Sequence, residues 1–184
     1  KIIDRIDFGK GLSNLVLSSD LIYAGGARGR KVKRFLKVTS DFGRLIGYFL
    51  AEGSVSKDSF SFCFSQHEEK YVTDVLEIVK RVWGLANSRI YRRKERSSIE
   101  LTFSSKIHSR WLANHCYQRG SAHRAEAKRI PDFIFSSVLK VKAECFLGWY
   151  RGDKGYTVSR TLMNQMKMIC LNLDIIPSII VDTK

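Results

Sequence analysis

The stretch Leu45–Gly53, LIGYFLAEG, is an apolar run with small residues at Gly47 and Ala51, and it ends on an acid, Glu52. A carboxylate at the C-terminal end of a helix faces the negative pole of the helix dipole, so it asks for a compensating partner. The stretch Phe146–Lys154, FLGWYRGDK, repeats the layout. At a constant offset of 101 residues, Gly47 aligns with Gly148, Tyr48 with Trp149, Phe49 with Tyr150, Ala51 with Gly152 and Glu52 with Asp153. Small residues four apart flatten one helix face and let two backbones approach closely. Two such helices packed about a pseudo-twofold axis would lay their C-terminal ends side by side, bringing Glu52 to Asp153. A hard divalent cation is the natural neutraliser of such a pair, and the free helix-end carbonyls of Ala51 and Gly152 are expected as further ligands. The competing reading is two ordinary packing helices, each followed by an exposed acid.

Working outward, Thr39, Ser40 and Asp41 offer caps for a helix over Phe42–Ala51. In SFSFCFS, Phe60, Phe62 and Phe64 alternate with Ser59, Ser61, Cys63 and Ser65, which predicts a half-buried strand. His67–Trp83 carries Val72, Val75, Leu76, Val79 and Val82 at helical spacing and stops at Gly84. Two further strands follow. RIYRRKER presents Arg89, Tyr91, Arg93 and Arg96, and SSIELTF sets Ser98, Glu100 and Thr102 opposite Ile99, Leu101 and Phe103. Ser104 or Ser105 caps a helix to about Tyr117, and Gly53–Lys57 leaves room for one short extra strand. Past the second motif, the pattern predicts a strand at Tyr156–Ser159, a helix at about Thr161–Leu171 and a strand from about Ser178. The expected organisation is a basic lead-in over 1–40, a first repeat with linker over 41–129, and an incomplete second repeat over 130–184.

Lys and Arg number 32 against 18 acids, a formal charge of +14, which points to a polyanionic partner. Within the lead-in, Arg28, Arg30, Lys31, Lys33, Arg34 and Lys37 lie among Gly25, Gly26 and Gly29 and read as a flexible arm on phosphates, or as a solvated linker. No apolar run is long enough for a membrane span. Cys63, Cys116, Cys145 and Cys170 are scattered without a CxxC pair, so they read as thiols of a reducing, cytoplasmic compartment. His108, His115 and His123 are spaced too loosely for a zinc pattern. The chain starts at Lys1 rather than Met, as a segment excised from a longer protein would.

The paired motifs resemble the LAGLIDADG homing endonucleases, in particular the two-motif, single-chain kind of archaeal introns and inteins. The resemblance spans roughly residues 40–180. It implies an α+β fold of two pseudo-symmetric αββαββα repeats, with the two motif helices packed at the interface and the strands forming saddles on duplex DNA. It implies that Glu52 and Asp153 bind the catalytic metal, Mg²⁺ with Mn²⁺ able to substitute. Gln66, at the end of the first strand, would orient water or phosphate, or else merely neighbour a helix cap. A lysine near the site is also implied, and Lys154 is the sequence neighbour of Asp153, but no position matches that feature cleanly. The implied activity is a staggered double-strand break in a long, asymmetric target, made by a monomer. The DNA-facing set would be Ser59, Ser61, Cys63, Ser65, Arg89, Tyr91, Arg93, Arg96, Ser98, Glu100 and Thr102. The second motif departs from the family by placing Lys154 where glycine is usual, with Gly155 one later, and Arg151 at a commonly acidic position. No splicing motif is visible at either end. The rival readings are a non-cleaving, maturase-like or regulatory protein on the same fold, and a basic RNA-binding domain. The second needs stacking aromatics on an open sheet face, where only Tyr91 offers itself.

Overall fold

A computed structural model describes residues 2–13, 15–24, 31–93, 95 and 97–181. Its central element is helix α1, Ser40–Glu52. Thr39 opens it by accepting a hydrogen bond from the Phe42 N–H at 3.2 Å, and Asp41 suits the positive end of the dipole. Phe42, Leu45, Ile46, Tyr48 and Phe49 are all fully buried, so α1 is covered on every side, as a helix apolar all round must be.

Gly53 ends α1 in an extended conformation and starts β6, Gly53–Val55. The chain then follows β7 (Ser59–Ser65), a 3₁₀ turn (Gln66–Glu68), α2 (Glu69–Trp83), β8 (Arg89–Arg93), β9 (Ser98–Ser104) and α3 (Lys106–Cys116). The strands form one antiparallel sheet in the order β6-β7-β9-β8. The short extra strand after Gly53 is therefore present, and the first repeat has the order αββαββα. Phe60, Phe62, Phe64, Ile99, Leu101 and Phe103 line the sheet's buried face. Phe60 stacks on Phe103 with ring centroids 5.1 Å apart. From α2, Val72, Val75, Ile78, Val79 and Trp83 close that core. From α3, Ile107, Trp111 and Leu112 do the same. The Ser105 side chain does not cap α3; its hydroxyl instead meets Nδ1 of buried His108 at 2.7 Å.

The described residues of the lead-in are folded, where a flexible arm was expected. β1 (Arg5–Asp7) pairs with β5 (Phe35–Lys37), and β2 (Leu15–Leu17), β3 (Leu21–Ala24) and β4 (Lys31–Lys33) form a second antiparallel sheet. The reason is apolar burial. Phe8 is fully buried and stacks on Trp111 of α3 at 4.8 Å, while Ile22, Val32 and Leu36 join the common core. Arg28 and Arg30 lie outside the described residues.

The second half differs more. A short helix, α4 (Asp132–Phe135), precedes the motif helix α5 (Leu139–Asp153) and then α6 (Arg160–Asn172). Tyr156–Ser159 is not a strand, and no strand begins at Ser178 among the described residues. Ser159 instead caps α6, accepting from the Leu162 N–H at 3.1 Å. A strand needs a neighbour for its backbone groups, and no described segment offers one here. The four-stranded sheet is therefore built from residues 53–104 alone.

α1 and α5 run parallel, glycine against glycine. A Cβ on Gly47 would collide with the Cys145 carbonyl and fall 2.9 Å from the Gly148 Cα and 2.8 Å from the Trp149 N. These obstacles are backbone atoms and cannot rotate away. Gly47→Ala is therefore expected to cost about 3 kcal/mol in urea unfolding. Gly84 has φ of +67° and open space around it, so Gly84→Ala should cost only about 1 kcal/mol. Equal losses for the two variants would contradict the close helix contact.

Candidate active site

The parallel packing places the two helix C-termini together. A Cβ on Gly152 would lie 2.6 Å from the Ala51 Cβ and 3.0 Å from the Glu52 Cγ, so only glycine admits Glu52 at that point. Glu52 holds its proton far more tightly than a free carboxyl, up to about pH 7. Burial is the main cause, followed by repulsion from Asp153 and Glu68, with Lys128 and Lys154 acting in the opposite sense. Asp153 is likewise raised, chiefly by burial. The buried Trp149 indole N–H makes no hydrogen bond of ordinary geometry, yet it lies close enough to favour the ionised Asp153.

Lys128 was invisible from the sequence and is central here. Its side chain is buried, and Nζ donates to the carbonyls of Phe49 at 3.2 Å and of Leu50 and Ala51 at 3.0 Å. A cation thus caps the last turn of α1, where the carbonyls have no helical partners. It also occupies the Ala51 carbonyl that was expected to face a metal. The Lys128 backbone is held by a bridge to Tyr117 and by the Ser159 hydroxyl, which donates to its carbonyl at 2.7 Å. Burial lowers the ammonium to about 8, opposed by Asp153 and Glu52.

Lys154 lies close enough to Glu52 to favour its ionised form. α5 ends at Asp153, and Lys154 adopts the left-handed cap with φ of 52°, a position more often given to glycine. Its Nζ then pairs with Glu68 Oε1 at 3.1 Å. Glu68, two residues past Gln66, is the second contributor that sequence reading missed; the doubled acid in SQHEE was its only signal. Gln66 itself is exposed at the end of β7, its backbone N–H bonded to the Ser97 carbonyl at 2.9 Å. Among the described residues no group of three or more His, Cys, Asp or Glu side chains forms a ready metal cage. Glu52 and Asp153 suit a cation that takes one or two carboxylates and completes its shell from elsewhere.

The open face of the sheet carries the expected side chains in one register. Ser61 lies opposite Thr102, Cys63 opposite Glu100 and Ser65 opposite Ser98, while Arg89, Tyr91 and Arg93 face Thr102, Glu100 and Ser98 from the other side. Ser59 shares this face opposite Ser104, and Ser54, also missed, joins it through a 3.0 Å contact with Ser61. β8 is exposed along its whole length. Arg93 pairs with Glu100 at 2.6 Å, and Arg92, on the other face, with Glu69. Arg96 lies outside the described residues. Lys31 and Lys33 are exposed on β4. Arg34 is not a free phosphate ligand, because its guanidinium binds the Asp7 carboxylate at 2.9 Å and holds that carboxyl below its usual range.

The acid cluster sets a pH dependence whose sign follows from linkage. Folded Glu52 keeps its proton to about pH 7, against 4.5 when unfolded, so stability falls as pH rises from 4.5 through about 7. Folded Lys128 loses its proton near 8, against 10.5 unfolded, so stability recovers as pH rises from about 8 towards 10.5. A trough at pH 7–8, about 2 kcal/mol deep after allowance for partial exposure of Glu52, is expected in EDTA. Melting temperature against pH should show Glu52→Gln shrinking the acid limb, of which raised Asp153 keeps a part. An unchanged acid limb in that variant would refute the assignment.

A family model described as "LAGLIDADG-like domain" matches residues 39–116. The chain is 32% identical over 146 residues to an uncharacterized protein of Methanocaldococcus jannaschii, covering 79% of this chain and 18% of the relative. It is 30% identical over 153 residues to a second uncharacterized protein of that organism, covering 75% and 16%. A DNA polymerase of Pyrococcus horikoshii is 30% identical over 149 residues, covering 79% and 10%. The chain thus spans less than a fifth of the length of these relatives. No helix among the described residues is long and apolar enough to cross a membrane. The matched span contains α1, the four-stranded sheet, α2 and α3 in order, and this span is what resembles the LAGLIDADG-like domain.

Proposed function

We propose that this chain is a site-specific endonuclease that makes a metal-dependent, staggered double-strand break in a long, asymmetric duplex DNA target. The observation that carries the reading is the pair Glu52 and Asp153, delivered by two parallel helix ends and both raised in proton affinity. The nearby Lys128 leaves both acids raised in proton affinity, and Mg²⁺, or Mn²⁺ in its place, would add the positive charge that ionises them. Water and DNA phosphate oxygens would complete the shell, since Mg²⁺ commonly takes only one or two protein carboxylates. When bound, the metal would lower the pKa of a water and stabilise charge on the scissile phosphate and its leaving oxygen.

The chain's own residues do the rest. Lys128 neutralises the end of α1 and places a positive charge beside both acids. Lys154 and Glu68 hold each other at the rim. Arg89, Tyr91 and Arg93 lie on the open face, where a β-ribbon fits the major groove and arginine reads guanine bidentately. The surplus of +14 supplies phosphate contacts. The same stretch recurs within much longer proteins that carry different names, as a segment that moves between hosts would.

The test is cleavage of a genomic or randomised DNA pool in Mg²⁺ and in EDTA. The wild type should give double-strand breaks only with metal. Glu52→Gln and Asp153→Asn should each cut at least 100-fold more slowly, leaving nicks where one strand still reacts. Metal-independent binding with no cutting would instead establish a binding protein on this fold. Once a target is known, Arg89→Ala should weaken binding by about 1–3 kcal/mol and relax base preference at one position.

A further inference from the structure

The glycine seam sets how close the two helices come, and Val141 seated against Gly43 begins to set their register. One residue of slip is only about 1.5 Å, so contacts beside the seam can sharpen that register. Along one flank of the seam lies an ion network that reaches three helices. Arg44 of α1 pairs with Glu144 of α5 at 3.1 Å, with Asp41 at 3.0 Å and with Asp74 of α2 at 3.1 Å. The contact of Arg44 Nε with Asp74 is at ion-pair distance without hydrogen-bond geometry. Asp74 also accepts from the Tyr48 hydroxyl at 2.9 Å, and Arg151 of α5 approaches both, 3.4 Å from the Tyr48 hydroxyl and 4.0 Å from Asp74. The side chains of Arg44, Asp74 and Glu144 are only 20–25% exposed, so these pairs are screened far less than surface pairs.

We infer that Asp74, acting with Arg44, Glu144 and Arg151, is a register lock that fixes the axial position of α5 and so sets the approach of Asp153 to Glu52. One residue of slip, about 1.5 Å, would require Arg44, Glu144 and Arg151 to re-orient in order to keep these contacts. The lock is unlike at its two ends: α1 supplies Arg44 and Tyr48, α5 supplies Glu144 and Arg151, and Asp74 joins them from a helix of the first repeat. Fixing register is the best-attested use of half-buried ion pairs, whose net stability is often small. Arg151, a departure from the family pattern in the sequence, finds its purpose here. Asp74 touches neither acid; it is a positioning residue.

The role in metal binding rests on the proposed nuclease reading, whereas the register itself can be measured without it. Spin labels on exposed Thr73 of α2 and Leu147 of α5 report the position of α5 by pulsed dipolar spectroscopy. Asp74→Asn should broaden or shift that distance distribution, and Asp74→Glu should restore it. In cleavage assays, Asp74→Asn should raise the Mg²⁺ concentration for half-maximal rate about tenfold, as loss of a supporting partner does, with DNA affinity in EDTA unchanged. Asp74→Glu should recover most of that loss. A lowered melting temperature with an unmoved distance distribution and an unchanged Mg²⁺ requirement would overturn the lock. If wild type cuts no DNA yet Asp74→Asn moves the labels, the nuclease reading fails and the lock stands.

Discussion

The contact between the backbones of Gly47 and Gly148 is the constraint from which the rest follows. It brings two helices closer than any side chain would allow. That closeness makes α1 a wholly buried helix, because α5 covers the flank that the sheet, α2 and α3 leave open. It also forces parallel C-termini into one place, so four negative features converge there: two helix ends and two carboxylates. Neither helix could tolerate this alone. The sheet, with its phenylalanine rows, is the platform that makes the arrangement stable.

The fold answers that convergence only halfway. Lys128 spends its three donors on backbone carbonyls, which removes the helix-end problem without making an ion pair with either acid. The price is a buried ammonium whose own proton affinity falls. Glu68 is drawn off by Lys154 at the rim. What remains is a pair of half-buried carboxylates with raised proton affinity.

Local pattern made much of this legible. The alternation in SFSFCFS and SIELTF specified which side chains share the open face, and the register agrees residue by residue. The two motifs announced both helices and both acids through composition alone. Long-range matters were not legible. Lys128 sits in an irregular loop, and nothing in its neighbours marks it as the cap of a helix 77 to 79 residues earlier in the chain. The segment Lys31–Lys37 looked like part of an arm because its charges are local, whereas the partners of Leu36 and Arg34 lie elsewhere in the fold. Tyr156–Ser159 has the composition of a strand, but no described segment lies beside it to pair with.

The two acids match in sequence but not in support. Glu52 is surrounded by Asp153, Glu68, Lys128 and Lys154, and its proton affinity answers to all four. Asp153 answers to Lys128 and the Trp149 indole, on a helix that ends in a left-handed lysine. The four-stranded sheet likewise comes from residues 53–104 only. Two strands of a duplex approaching this site would therefore meet unlike chemistry, one acid backed by a sheet and a charge network, the other by an aromatic ring and a tight turn. The two motifs thus supply two similar carboxylates, while the unlike remainder of the chain gives each its own electrostatic environment. Under the proposed activity, unequal cutting of the two strands would be a property of the fold rather than of the target.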